Sequence, residues 1–183
     1  MNHGIVTPYE GHGHPGWDPA TPVPAPLTPH RTTVVRDWVD YNGHLSESCF
    51  LLVFGDSSDA FFRYVGVDER YRAEGRSLYT VETHLHHLGE ASEGDPLRLT
   101  LQLLDADEKR LHLFHAMHHD TTGELLATAE QMLLHVDTTA GRVTPFPPEL
   151  GRRLRAVRAA HAHLPVPDPV GHVMGIPRKP PTS

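Results

Sequence analysis

A run of consecutive apolar residues marks the part of the chain where a helical pattern is strongest. Residues 50–54 read Phe-Leu-Leu-Val-Phe, so their side chains point in all directions around a helix. A helix that is apolar all round is typical of a protein interior. The pattern predicts a long buried helix over about 45–65, with Ser46 or Ser48 capping its start and Gly66 ending it.

Alternation of apolar and polar residues follows this helix and is typical of strands buried on one face. Leucine occupies every second position from 97 to 103, with polar residues between. Turn residues separate the alternating segments. Strands are predicted over 32–38, 77–88, 97–103, 111–118 and 124–136. A short helix or turn is predicted over 68–74, and an amphipathic helix with an arginine-rich face over 147–160.

This order of elements predicts an α+β fold, in which an antiparallel sheet of about five strands wraps around one long buried helix. One sheet around one helix leaves an edge of the sheet and the mouth of any site uncovered. We therefore expect a homodimer, most simply a two-fold one, with a homotetramer as the alternative.

Prolines crowd both ends of the chain and give these ends a different character. Such segments suit neither a helix nor a central strand. We predict a proline-rich arm over 1–30, a folded domain over 31–145, a C-terminal helix over 146–164 and a proline-rich tail over 165–183. The arm is either mobile or laid over a partner subunit, and its His12 and His14 are candidates for weak metal binding.

Charge and composition narrow the class of protein. The 183 residues suffice for one domain with a sizeable core. A formal net charge of −7 argues against nucleic acid and anionic membranes as partners. The single cysteine, Cys49, fits a reducing compartment, and no apolar run approaches the ~20 residues of a membrane span. We expect a cytoplasmic protein.

A polar turn directly before the buried helix holds the candidate chemistry. Asn42 and Gly43 tolerate positive φ and favour a tight turn, and Asp40 places a carboxylate just ahead of the helix. Free backbone N–H groups and the positive end of the helix dipole lie there. A carboxylate beside such groups suits acyl chemistry, in which negative charge develops on a carbonyl oxygen. The alternative is that Asp40 only caps the helix.

The turn motif Asp40-Tyr41-Asn42-Gly43-His44, the pair Gly94-Asp95 and four longer strings carry a family resemblance. The strings are WVDYNGHLSE, YTVETHLHHLGEA, KRLHLFHAMHH and LLATAEQMLLHVDT. Over about residues 31–140 they resemble the hotdog-fold thioesterases of the 4-hydroxybenzoyl-CoA thioesterase-like branch. Within it they look most like the betainyl-CoA thioesterases of bacterial carnitine degradation, which release glycine betaine and CoA.

The resemblance implies a thioester hydrolase without a cofactor, because coenzyme A is part of the acyl-CoA substrate. It implies that Asp40 is the nucleophile or the base for water, and that the N–H groups of Gly43 and His44 stabilise the carbonyl oxygen. Asn42 and His44 orient the water or the carbonyl, or only stabilise the turn. Glu82 polarises water, faces a cation, or is simply exposed on its strand. Another short or aromatic acyl group is the alternative substrate.

Aromatic residues are candidates for binding a cationic acyl group. A cation within ~6 Å of an aromatic ring gains ~0.5–2 kcal/mol. Trp38, Tyr41 and Tyr79 lie close to the proposed site in sequence or topology. Ordinary packing is the alternative for each of them.

The sixteen histidines favour a different class of protein, a non-catalytic metal-binding β-protein. His84 and His86 are two apart on a predicted strand and share a face. His112, His115 and His118 are candidates to complete a zinc or iron site. Cupin-type barrels, which bind metal through such histidine pairs, have more strands than are predicted here and no long buried helix, so we predict no metal. A hotdog dehydratase is a third possibility.

Overall fold

The computed structural model describes residues 16–176, which form an antiparallel sheet with a long helix packed on one face. The strands are β1 (Leu27–Thr33), β2 (Arg76–His87), β3 (Pro96–Ala106), β4 (Arg110–His119), β5 (Leu125–Asp137) and β6 (Arg142–Val143). The helices are α1 (Glu47–Val65), α2 (Glu69–Ala73) and α3 (Pro148–His161), with a 3-10 turn at Arg36–Trp38. The sheet order is β1-β3-β4-β5-β2, and β6 pairs with β5. This confirms the predicted α+β arrangement.

Helix α1 packs one side on the sheet and leaves another side open. Val53, Phe54 and Phe61 are fully buried in the core formed with the leucines of β3 and β4. Leu51 and Leu52, by contrast, are 47% and 39% exposed. The prediction that this helix is buried all round is therefore wrong for a single chain, and an apolar strip of α1 remains uncovered.

Polar side chains also fix α1 on the sheet. Ser57 Oγ lies 3.2 Å from Nδ1 of His115 on β4, and Ser58 Oγ donates to Oε1 of Gln131 on β5 at 2.9 Å. Burial lowers the pKa of His115 to about 3, so its ring is neutral at physiological pH. Buried hydrogen bonds of this kind favour one register of the helix over others.

The first strand lies earlier in the chain than predicted. We expected a strand over 32–38 and a separate arm over 1–30, but β1 spans Leu27–Thr33, and the chain then leaves the sheet. Pro29 is tolerated because β1 is an edge strand whose pairing with β3 shifts between Leu27 and His30. Trp17 packs edge-on against Tyr64 at 5.7 Å, so the described part of the arm lies on its own chain. His12 and His14 lie outside the described residues.

A β-bulge in β2 changes which side chains face the helix. The pairing of β2 with β5 shifts between Thr80 and Glu82. From the alternation along this strand, the sequence predicts Tyr79, Val81, Thr83 and Leu85 on one face. Instead Thr83 and Leu85 face α1, whereas Tyr79 lies on the opposite, outer face of the sheet together with Glu82.

The segment after α3 runs across the outer face of the sheet. The Gly171 N–H donates to Oε2 of Glu130 at 2.9 Å, and Gln102 Nε2 donates to the Pro165 carbonyl at 3.3 Å. Among the helices of residues 16–176, none is long and apolar enough to cross a membrane.

Candidate active site

The predicted turn forms just before α1 and holds the Asp40 carboxylate in place. The Asp40 N–H donates to the His44 carbonyl at 2.9 Å, and the Gly43 N–H donates to the Asp40 carbonyl at 3.0 Å. Gly43 has a φ of 85°, which favours glycine there. The Asn42 N–H donates to Asp40 Oδ1 at 2.8 Å, and Asn42 Nδ2 lies 3.4 Å from Oδ2. Both carboxylate oxygens are therefore oriented by Asn42.

The two predicted backbone donors differ in availability. The Gly43 N–H closes the turn and is occupied, so it does not point at a substrate. Within residues 16–176 the His44 N–H has no acceptor at hydrogen-bonding distance. Ser46 lies at the N-cap of α1, but in the part of the chain that the structure describes its side chain makes no capping bond. The first N–H groups of α1 therefore also lack a side-chain cap next to the carboxylate.

A neighbouring loop, between β2 and β3, holds this turn against the core. The Leu45 N–H donates to the Ala91 carbonyl at 2.7 Å, and Ala91 is buried. Asp95 stabilises the loop, because its Oδ2 accepts from the Ser92 N–H at 2.7 Å. The His44 Nε2 lies 3.4 Å from an oxygen of Glu90. The Gly94-Asp95 motif thus acts on the site through the backbone of its loop.

The three aromatic candidates do not form a cage in one chain. Trp38 is half-buried against the core beside α1, and its carbonyl accepts from the Ser46 N–H at 2.9 Å. Tyr41 is 96% exposed at the tip of the turn. Tyr79 lies on the outer face of the sheet, away from the α1 side. A cage from these residues would require a second chain.

Glu82 is separated from the Asp40 turn by the sheet. Its carboxylate is mostly exposed on the outer face, where an oxygen lies 3.1 Å from His84 Nε2. Nearby, His112 Nε2 lies 2.7 Å from Glu130 Oε1. The catalytic role predicted for Glu82 therefore has no support from its position in a single chain and stays a prediction.

The five predicted histidine ligands are split between the two faces of the sheet. His84, His86, His112 and His118 lie on the outer face, whereas His115 is in the core under α1. Over residues 16–176 no group of three His, Cys, Asp or Glu side chains is arranged to hold a metal ion. The alternative class built on these histidines thus lacks its site in the described part of the chain.

Sequence reasoning missed one unusual carboxylate, that of Asp56 on α1. Asp56 is only 6% exposed, and no hydrogen bond or ion pair reaches it from the residues that the structure describes. Burial, together with the nearby charge of Asp59, raises the pKa of Asp56 to about 6. The signal was an acidic residue two positions after the apolar run, in a turn of helix that the pattern assigned to the core.

These features define the class of protein. The family model of the thioesterase-like superfamily matches residues 34–154, which include the Asp40 turn, α1 and the strands β2 to β6. The chain belongs to this superfamily and has the hotdog fold of thioesterases.

The similar proteins make the relationship more specific. A betainyl-CoA thioesterase from Pseudomonas aeruginosa is 46% identical over 152 residues, covering 82% of this chain and 96% of that relative. The L-carnitine dehydrogenase/betainyl-CoA thioesterase of Rhizobium meliloti is 49% identical over 150 residues, and the chain spans only 30% of its length.

Solved structures show the same fold over most of the chain. A Pseudomonas putida protein gives a TM-score of 0.74 at 37% identity, covering 84% of this chain and 98% of its own. A Staphylococcus aureus protein solved in complex with CoA gives 0.78 at 27% identity, covering 86% and 100%.

Proposed function

We propose that this chain hydrolyses betainyl-CoA to glycine betaine and CoA. The observation that carries the proposal is its similarity to the Pseudomonas aeruginosa betainyl-CoA thioesterase across 96% of that relative. The match includes the Asp40 turn, in which a carboxylate is fixed beside an unused N–H group at the start of α1. Hydrolysis of a thioester requires water and no cofactor.

The arrangement suits attack on a thioester carbonyl. Asp40, oriented by Asn42, either removes a proton from water or attacks the carbonyl carbon itself. The His44 N–H and the first N–H groups of α1 stabilise the developing oxyanion, and a well-aimed donor contributes roughly 3 kcal/mol. The carbon–sulfur bond then breaks, the thiolate takes a proton, and the acyl group leaves as a carboxylate. In the route through an acyl–Asp40 intermediate, water cleaves that anhydride in a second step.

We infer that the working unit is a homodimer formed through β2. This strand is at the edge of the sheet, and residues 79–82 are all exposed along it. Two copies related by a two-fold axis perpendicular to the sheet would pair β2 with β2 and continue the sheet. Both α1 helices would then lie on the same face, antiparallel, with their uncovered Leu51 and Leu52 available for contact.

Release of free thiol from a small panel of CoA esters tests the proposal. We expect betainyl-CoA to have a higher kcat/KM than acetyl-CoA or benzoyl-CoA, with chelator having no effect on any of them. A protein that hydrolyses benzoyl-CoA best would be a thioesterase for a different acyl group. If no ester releases thiol, the proposed activity is wrong.

A further inference from the structure

An acidic patch on the open side of α1 has features that the fold itself does not require. We define the α1 patch as Leu51, Leu52, Gly55, Asp56 and Asp59, which are neighbours at helical spacing. A buried carboxylate is normally paired, because an unpaired one is costly to desolvate. Asp56 is nine-tenths buried and receives no hydrogen bond or cation from residues 16–176.

Gly55 provides a second observation that points to something outside the chain. Glycine within a helix costs about 0.5–1 kcal/mol relative to alanine. A Cβ at Gly55 would meet no atom of residues 16–176 within 4 Å, so packing within this part of the chain does not require a glycine there. The open space lies next to Asp56, with Leu51 and Leu52 one turn earlier on the same side.

A quaternary ammonium group fits this combination. Its methyl groups need apolar surface and space, its charge needs an anion, and it has no N–H to donate. The carboxylate of Asp56 supplies the charge, and the space at Gly55 beside Leu51 and Leu52 supplies room and apolar surface for the methyl groups. Building on the proposed function, we propose that the α1 patch binds the trimethylammonium head of the betainyl group, with Asp56 supplying the charge.

The site must combine two chains. Asp56 lies nine residues beyond Glu47, a rise of about 14 Å along α1. Only two bonds separate the carbonyl carbon of a betainyl group from its nitrogen, so one chain's turn and its own patch cannot hold the same acyl group. If the antiparallel helices of the proposed dimer meet at the exposed Leu51 and Leu52, Asp56 of one chain is level with Glu47 of the other, next to that chain's turn. The carbonyl is thus bound by Asp40 of one chain and the head by Asp56 of the other.

A neutral analogue (isostere) of betainyl-CoA separates the effect of the positive charge from the effect of the shape of the acyl group. 3,3-Dimethylbutyryl-CoA replaces the quaternary nitrogen by carbon and keeps the shape. In Asp56→Asn we expect kcat/KM for betainyl-CoA to fall about thirtyfold, with a far smaller change for the isostere. Glu108→Gln, an exposed acidic residue in the β3–β4 hairpin, is the control and leaves the ratio of the two substrates unchanged. Gly55→Leu, which begins to fill the space from a Cβ that meets no atom of residues 16–176 within 4 Å, should also reduce betainyl-CoA hydrolysis.

Mixed dimers test the two-chain site. Coexpressed Asp40→Asn and Asp56→Asn chains form some heterodimers with one intact composite site, so the mixture should regain about a quarter of wild-type activity. An Asp56→Asn protein that loses both substrates equally, or retains the wild-type ratio, overturns the inference while the proposed function stands. A mixture without regain overturns the two-chain arrangement. If wild type hydrolyses neither ester, the proposed function itself fails.

Discussion

At the scale of single residues, the Asp40 turn depends on one backbone conformation. Gly43 has a positive φ, and a Cβ there would meet none of the described residues within 4 Å, so the cost of a side chain is conformational. We expect Gly43→Ala to lower the free energy of unfolding by about 1–2 kcal/mol and to lower kcat, because the strained turn displaces Asp40. Gly141→Ala, with a φ of 62° in the turn between β5 and β6 at the other end of the sheet, is the control that loses stability but keeps kcat. Equal kcat in both variants would contradict this role of the turn.

Asp56 should make the folded protein less stable as the pH rises, whereas most aspartates make it more stable. Its pKa is raised to about 6 in the folded chain, so the folded state binds a proton that the unfolded state releases near the ordinary value of 3.8. The free energy of unfolding therefore decreases as pH rises from about 4 to 6, by about 3 kcal/mol from this group. Urea unfolding at pH 4.5 and 7.5 checks this. Asp56→Asn should gain stability relative to wild type at the higher pH, and a constant difference would contradict it.

At the scale of elements, the sequence predicts those whose pattern is local. The turn at Asp40, the end of α1 at Gly66 and the alternation of β3 all appear as expected, because each follows from neighbouring residues. The bulge in β2 was not predictable, since no residue at 80–82 marks it, and one extra residue reverses the face of every earlier side chain. We predicted the first strand too late in the chain because Pro29 suggested a tail. Only the position of β1 at the edge of the sheet makes Pro29 acceptable.

The bulge offers a way to test the role of β2 as an interface. Val81 lies between the two registers with β5, so loss of its N–H does little to the sheet, while proline blocks pairing on the free edge. We expect light scattering to show a dimer for wild type and a monomer for Val81→Pro, with hydrolysis lost in the monomer. A Val81→Pro protein that remains dimeric would place the interface elsewhere.

At the scale of the whole molecule, buried histidines set the response to acid. Burial lowers the pKa to about 4 for His30 and about 3 for His115, and it also lowers the pKa of His135 and His161. Each of these rings excludes a proton that the unfolded chain binds near 6.5, so their contributions to stability are lost as pH falls below that value. Acidification therefore destabilises the protein through these four histidines and stabilises it through one aspartate, Asp56.

We therefore expect the urea midpoint to decrease from pH 7.5 to 5.5. The urea midpoint of His115→Gln should decrease less over the same interval, because this variant lacks one of the buried rings that exclude a proton. A midpoint that is unchanged over this interval would show that the histidines are accessible to protons in the folded protein.

The structure brings together only some of the predicted site residues. The reason is the same as for the errors in the position of β1 and in the faces of β2. Asp40, Asn42, Gly43 and His44 are contiguous, so their grouping follows from the sequence. Glu82 and Tyr79 were also predicted to lie at the site. The sequence does not reveal which face of the sheet each side chain of β2 points to, and the structure places both on the outer face. Asp56 was missed because an apolar neighbourhood predicted a core position, and only the folded chain shows that its carboxylate receives no hydrogen bond or ion pair from residues 16–176.

The turnover of Asp40→Asn measures the central claim most directly. The amide keeps the size of the side chain and removes both the base and the nucleophile. Asp37→Asn, three residues earlier and exposed, is the matched control. In single-turnover release of thiol from betainyl-CoA, we expect the rate of Asp40→Asn to fall by at least about a hundredfold at an unchanged Tm, with Asp37→Asn near wild type. A rate for Asp40→Asn close to that of wild type would contradict the account.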